Sequence, residues 1–337
     1  MRNEICLYIP DKKDIHSIMS FIQKFWKKNH ILSKDLKVFK YFYSEKKKIN
    51  FIVAKYESKI IGVMGFIPNS RYSEKNVNKF DIIWPSVLCI NPKFPGVGLK
   101  IFNFYQKKFK HKNFGLINFN NKAKFFYQIF DYKLYKMKHY YMANKLRDDF
   151  KILKKKKFTN RILHKHSKIT YTFIEKKNSN LLKILKDEFK NNKYIINKYI
   201  KNPFYKYNCV LIKFNSRDNA LLVFRKIKIL KTSIIRIIDF IGSPNDFEKL
   251  YLLFNHILNE NNSEYIDLVV SENFKFNPNN VGFIEKTDEI VPSNFEPLIK
   301  KNTIHLCGYN IRGYNKIVYK NLFIFKGDGD SERPNKI

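Results

Sequence analysis

The residues whose types and spacing most directly allow chemistry lie between Asp81 and Lys108, in DIIWPSVLCINPKFPGVGLKIFNFYQKK. An apolar run ends near Asn91, and the turn Lys93-Phe94-Pro95-Gly96-Val97-Gly98-Leu99 follows. The next residues recur at helical spacing, with Ile101, Phe102, Tyr105 and Phe109 on one side. Two glycines at such a junction let the backbone pass close to a bulky anion. The first N–H groups and the positive dipole end of the helix point at the same place. This arrangement can hold a pyrophosphate without any charged side chain. A tight strand–helix junction with no ligand uses the same glycines, so the turn alone leaves both readings open.

A second block, Asn120-Asn121-Lys122-Ala123-Lys124-Phe125-Phe126-Tyr127-Gln128-Ile129-Phe130-Asp131-Tyr132, follows the next predicted strand. The element order and the two blocks together resemble the GNAT superfamily of N-acetyltransferases. Its fingerprint, R/Q-x-x-G-x-G/A, stands here at Lys93 to Gly98, with Lys where Arg or Gln is usual. Its later motif, N-x-x-A-x-x-x-Y-x-x-x-G-F, stands at Asn120 to Tyr132, with Asp131 for Gly and Tyr132 for Phe. Asp tolerates the positive φ that ends a helix there. The resemblance implies a coenzyme A pyrophosphate on the backbone of Lys93 to Leu99, with Asn120 beside the cofactor. It implies a thioester carbonyl polarised by a backbone N–H of Leu88, Cys89 or Ile90. Tyr127 becomes the acid that protonates the departing thiolate, although a packed helix tyrosine is the competing reading. The acceptor amine attacks acetyl-coenzyme A directly in a ternary complex. Cys89 then needs no nucleophilic role and reads as a small buried strand residue.

Three further segments resemble a narrower group, acetyltransferases assigned to bacterial surface-polysaccharide gene clusters. They are Phe25 to Leu32, Ile61 to Pro68, and the ending Phe325 to Asn335. This implies an amino-sugar acceptor, nucleotide- or lipid-linked. The acidic ending reads either as a disordered tail or as a segment folding back on an acceptor site. In the second case Asp328, Asp330 and Arg333 hold the acceptor, and Asp330 can take its proton. His30, after the first helix, is a candidate base or an ordinary helix-end histidine. Trp26 and Trp84, the only two tryptophans, are candidate platforms for a sugar ring or core residues.

The elements that must position these groups follow an α/β order with a mixed sheet. Strands are expected at 3–9, 50–56, 59–68, 81–91, 115–119 and 135–144, and helices from Ile15, at 34–43, after Gly98 and at 122–129. After a Lys-rich stretch the second half repeats the order weakly, with helices at 179–189, 191–201 and 246–258. The expectation is two tandem GNAT-like domains: residues 1–145 bind acyl-coenzyme A, residues 146–168 link, and residues 169–337 form a degenerate copy. There the turn reads Gly242-Ser243-Pro244-Asn245, without a double glycine.

The formal net charge is +36 over 337 residues, but only 9 of the 65 basic residues are Arg. Arg is favoured for bidentate phosphate and base recognition, so no nucleic-acid partner is expected. A solvated lysine surface is the simplest account, and peripheral contact with an anionic membrane stays open. Four spaced cysteines without metal-ligand spacing to the histidines imply free thiols, a cytoplasmic setting and no metal. Neither a signal-peptide core nor a run of about 18 apolar residues occurs. Oligomeric state is left open. Two other classes compete: a Fem-like transferase using aminoacyl-tRNA on a cell-wall precursor, and a non-catalytic binding module.

Overall fold

The computed structural model describes residues 4–73, 81–119, 121–154, 169–185, 187, 189–214, 219–229, 231–286, 291–292, 305–312 and 322–335. The first half runs β1 (Cys6–Tyr8), α1 (Ile15–Phe25), α2 (Ile31–Lys34), α3 (Leu36–Tyr43), a small hairpin β2 (Ser44–Glu45) and β3 (Lys48–Ile49), a long hairpin β4 (Phe51–Tyr56) and β5 (Lys59–Pro68), then β6 (Ile82–Ile90), α4 (Val97–Lys108), β7 (Asn113–Phe119), α5 (Lys124–Gln128) and β8 (Lys133–Ala143). The second half runs β9 (Ile169–Ile174), α6 (Asn192–Ile195), β10 (Asn208–Phe214), β11 (Asn219–Ile229), β12 (Thr232–Ile241), α7 (Pro244–Phe247), α8 (Tyr251–Glu260), β13 (Tyr265–Ser271), β14 (Ile284–Glu285) and β15 (Leu306–Asn310).

Local chemistry explains most of these elements. In α1 the spacing of Ile15, Ile18, Met19 and Ile22 buries one face. Asp35 caps α3, its carboxylate accepting from the Lys37 and Val38 N–H groups at 2.7 and 2.9 Å. Asp131 ends the turn after α5 with φ 57°, the left-handed conformation expected there. The helix predicted at 191–201 is α6 continued by a wider π turn to Ile200. The one predicted at 179–189 is instead a 3-10 helix, Lys176–Ile184.

Among the described residues thirteen strands form one sheet, in the order β1-β4-β5-β6-β7-β15-β8-β13-β12-β11-β10-β9, with β14 beside β8. Helices α1 and α3 cover one face of the first half, against Val53, Val63, Val87 and Cys89. The same core runs on into Tyr194, Tyr199, Leu221 and Ile238 of the second half. Helix α4 covers the opposite face, against Ile52, Met64, Phe66 and Ile83. The halves also exchange strands. β15 comes from the second half yet lies between β7 and β8, and β8 pairs with β15 at its start and with β13 beyond.

Among the described residues two strand pairs are parallel, and both pairings are short. β6 meets β7 only at Ile82–Asn113 and Ile83–Phe114. β12 meets β13 only from Ile235–Ile266 to Ile237–Leu268. Beyond these contacts each pair parts toward its carboxyl ends, and there the halves differ. In the second half the C-terminal segment fills the gap. Ser271 N donates to Ile324 O (2.8 Å), Lys326 N to Val269 O (3.1 Å), and Gly327 N to Ile238 O (2.7 Å). The following helix is closed as well: Ser243 caps α7, and the Asp246 carboxylate accepts from the Ser243 hydroxyl at 2.7 Å. A carboxylate already occupies the place where an anion would dock.

The C-terminal segment is fixed by buried charge. Lys190 Nζ lies 2.7 Å from Asp239 and 2.9 Å from Asp328, and Tyr199 donates to Asp239 at 2.7 Å. Burial alone would lower the Lys190 pKa, but the two carboxylates overcome it and hold the ammonium charged. Nearby, Arg225 Nε pairs with Glu332 at 2.8 Å and Lys326 Nζ with Glu332 at 3.3 Å. Removing one partner of a buried pair leaves the other charge uncompensated, so Asp328→Ala should lose about 3 kcal/mol or more of stability in urea unfolding. A loss below about 1 kcal/mol, the range of exposed pairs, would show that this ion cluster does not hold the segment.

Candidate active site

In the first half the gap between β6 and β7 is open. It forms a cleft of about 300 Å³ whose walls include Trp26, Ser86, Leu88, Asn118, Tyr127 and Asp330. Both strands carry an irregularity at the same level. The β5–β6 register shifts where Met64 faces Leu88 and Phe66 faces Pro85, leaving an extra residue on β6. The β7–β15 register shifts where Leu306 faces Phe119 and Gly308 faces Leu116, leaving one on β7, and Asn118 there has φ 59°. Bulges re-aim side chains and end pairing, and these two widen the gap where it opens.

The glycine turn adjoins the cleft through Leu88, which lines the cleft and faces Gly98. Gly96 is the N-cap of α4 with φ 82° and ψ −13°, a left-handed conformation that explains a glycine. No side chain caps this helix, and its first intrahelical bond is Lys100 N to Gly96 O at 3.2 Å. The N–H groups of Gly98 and Leu99 belong to the first turn, where no helical acceptor precedes them. A Cβ on Gly98 would point at Leu88 and Ile90 across an ordinary 3.6–3.9 Å, so packing does not demand glycine there. Its absence leaves the approach from the turn to the cleft clear. This backbone fits a pyrophosphate. Asn120 lies outside the described residues. Lys93 is exposed; its N–H donates to Asn91 Oδ1 at 3.1 Å, and this Asx turn shapes the bend. Phe94 packs on Tyr56, with ring centroids 5.6 Å apart.

Tyr127 stands in the cleft wall, its ring held against Phe119 (4.7 Å) and Phe102 (5.6 Å). Burial pushes its hydroxyl up to about 12, so it keeps its proton at neutral pH. Trp26 lies at the rim, 46% exposed. Cys89 is buried in the core behind β6, and burial raises its thiol to about 11. That is the environment of an inert packing residue.

The C-terminal segment supplies the rest. After Asp328 it turns through Gly329, with φ 58°, and brings Asp330, Ser331 and Arg333 into the cleft. Arg333 is ion-paired with Asp330 Oδ2, and Tyr43 OH donates to the same oxygen at 3.3 Å. Tyr43 also shares a 2.9 Å hydrogen bond with Ser86 on the β6 bulge. Ser331 is held by Asn118 of the β7 bulge. The described contacts of Asp330 thus fall on Oδ2, which leaves Oδ1 as the oxygen for a ligand.

Three sequence expectations change. Trp84 is no ring platform: it is buried, its indole donates to Asn69 Oδ1 at 2.9 Å, and a Cβ on Gly115 would collide with the ring. It wedges the vertex below the cleft. Asp328 does not line the cleft, because Lys190 holds it in the second half. His30 is enclosed on both nitrogens. Nδ1 accepts from Leu32 N at 3.3 Å as the cap of α2, and Nε2 lies 3.3 Å from Arg333 Nη2. Burial and then the Arg333 charge lower its pKa to about 4. His30 therefore serves as a neutral brace behind Arg333, unsuited to collecting an acceptor proton. Sequence reasoning missed Tyr43, Ser86, Asn118 and Ser331. The one available signal for Ser86 was its place next to Pro85, a residue that breaks a strand ladder.

No protein-family model matches the chain, and no curated protein matches it significantly. Solved structures do match its fold. A GCN5-related N-acetyltransferase from Anabaena variabilis superimposes with TM-score 0.52 at 12% identity, over 90% of this chain and 72% of that one. A conserved Enterococcus faecalis protein, described as a probable N-acyltransferase, gives 0.52 at 8%, over 91% and 73%. The glucosamine N-acetyltransferase region of a fungal multi-domain β-N-acetylglucosaminidase gives 0.53 at 11%, over 92% of this chain and 38% of that one. The fold is that of the GCN5-related N-acetyltransferases, with two such units in one sheet.

The pKa of His30 has a measurable consequence. The folded state keeps it neutral down to about pH 4, whereas the unfolded chain protonates near 6.5, the ordinary value for histidine. Unfolding therefore takes up a proton in that window, and stability falls as pH drops from 6.5 toward 4. His30→Asn keeps the cap and removes the titration. Its urea midpoint should depend less on pH over this range than the wild-type midpoint does. Equal slopes would show that His30 titrates freely.

Proposed function

We propose that the chain is an acyl-coenzyme A-dependent N-acetyltransferase that uses acetyl-coenzyme A and acts on an amino sugar. One observation carries this reading. An uncapped, glycine-opened helix start faces Leu88 at the edge of a cleft that is lined by both a protonated tyrosine and a carboxylate. The backbone nest from Gly96 to Leu99 would hold the pyrophosphate, and Leu88, which Gly98 faces, lines the gap between β6 and β7 where the chemistry would take place. When bound, the cofactor supplies an activated acetyl group. Backbone N–H groups at the bulged part of β6, near Leu88, are the donors available to the thioester oxygen.

Tyr127 delivers the proton that the leaving thiolate needs, and its raised pKa keeps that proton in place beforehand. Asp330 orients the acceptor amine through Oδ1, while Arg333 and Tyr43 lock the carboxylate from behind. It also offers a first stop for the amine proton. Trp26 at the rim offers an apolar face to a sugar ring. An amino sugar suits this pairing of a carboxylate with an aromatic platform. The same fold carries a glucosamine N-acetyltransferase region in the fungal neighbour. A lipid- or nucleotide-linked sugar of surface-polysaccharide synthesis remains the proposed acceptor, with cytoplasmic action. A tRNA-using transferase would have no need of the open nest.

Acetyl-coenzyme A should raise the melting temperature of the wild-type chain, and Gly98→Glu should remove that rise by placing a carboxylate in the nest. No shift in the wild type would end the cofactor assignment. With a glucosamine-type acceptor, Tyr127→Phe should lower kcat by about 100-fold or more while leaving coenzyme A affinity unchanged. Unchanged turnover would remove Tyr127 as the acid.

A further inference from the structure

The layer formed by α4 and α5 has a composition unlike the rest of the molecule. Residues 82–130 contain eight Lys and no Asp, Glu or Arg. Lys93, Lys100, Lys107, Lys108, Lys122 and Lys124 are all exposed. Among them stand three large apolar side chains that the fold does not bury. Phe125 is 73% exposed and Ile129 59%, one helical turn apart on α5, and Leu99 on the first turn of α4 is 48% exposed. The two helices lie side by side, since Phe102 of α4 meets Phe126 at 5.1 Å and Phe130 at 4.7 Å. Phe125 and Ile129 thus stand outside a packed aromatic cluster. Cations alone would be explained by attraction of an anionic cofactor to the nest. Exposed Phe and Ile are not explained by it.

We propose that this α4–α5 layer docks the protein on an anionic lipid bilayer. Lysine ammonium groups stand over acidic headgroups while Phe125, Ile129 and Leu99 enter the headgroup boundary. No carboxylate occurs in these 49 positions, and the exposed Asp131 that ends the α5 turn stands against eight lysines, so the surface is strongly cationic and attracts an acidic membrane. Lysine without arginine suits a diffuse headgroup field better than bidentate reading of a nucleic-acid backbone. Among the described residues no helix is long and apolar enough to cross a membrane, so attachment here is peripheral. Tyr127 of the same short helix lines the cleft, so docking by α5 brings a cleft wall near the lipid, where a lipid-linked acceptor would arrive. The docking itself does not depend on the acyl-transfer reading.

The test is co-sedimentation of the full chain with vesicles. One set is phosphatidylcholine alone; the other contains about a third phosphatidylglycerol. Binding to the acidic vesicles should be about tenfold tighter or more, and should weaken as salt rises. Phe125→Ser with Ile129→Ser alters exposed positions only. It should keep the melting temperature and the acetyl-coenzyme A shift while losing at least about fivefold in vesicle affinity. Equal binding to both vesicle types, or a double variant that binds like the wild type, overturns the proposal. A dimer in light scattering that this variant dissociates assigns the face to a second copy and also overturns it. Binding to an RNA homopolymer with none to vesicles does the same.

Discussion

The structure depends on where its C-terminal segment runs. Residues 322–328 lie in the gap that β12 and β13 leave open, bonded to both strands and pinned through Asp328 to Lys190 and Asp239. The chain then turns at Gly329 and delivers Asp330, Ser331 and Arg333 to the matching gap of the first half. One short stretch therefore closes one cleft and furnishes the other. The geometry of Asp330 relative to Tyr127 is set by an ion cluster in the opposite half of the molecule. A charge cluster of this kind is costly to bury and costlier to break, which makes it a device for fixing one arrangement more than a source of net stability.

The two halves start from the same construction and end differently for local reasons. Each has a short parallel pairing that ends toward the carboxyl ends of its strands. In the first half the following helix begins at a left-handed glycine with no side-chain cap. In the second it begins at Ser243, which is capped reciprocally by Asp246. The first helix start is open to an anion and the second is already satisfied by its own carboxylate. Strand exchange through β8 and β15, together with the shared core behind α1 and α3, joins these halves into one sheet.

Around the cleft, charges are arranged in layers. Behind it, Arg333, Tyr43, Ser86 and His30 hold a single carboxylate, and burial keeps His30 neutral beside the guanidinium. Beside it, the α4–α5 layer is rich in lysine and carries Leu99, Phe125 and Ile129 outward. The cationic layer and the cleft carboxylate of Asp330 thus lie close together, since Tyr127 of α5 and Asp330 line the same cleft.

Much of the first half was legible in the sequence, because its signals are local. The turn around Gly96 and Gly98, the amphipathic face of α4, the positive φ at Asp131 and the Ser243 turn of the second copy each act through residues a few positions apart. The cationic run from 82 to 130 was also legible, although which of its apolar side chains remain outside was not. The sequence alone could not separate Trp26 from Trp84, nor Asp328 from Asp330. These pairs differ in which side of a strand or turn each residue faces, and long-range packing decides that. Tyr43 and Ser86 are 43 positions apart, and Asp330 is 287 positions from Tyr43. No periodicity reports such a meeting. Local spacing determined a left-handed glycine turn and an uncapped helix start on an α/β scaffold; the tertiary path of the last dozen residues decided which cleft stays open and which carboxylate lies in it, because only that path brings groups from opposite ends of the chain within hydrogen-bonding reach.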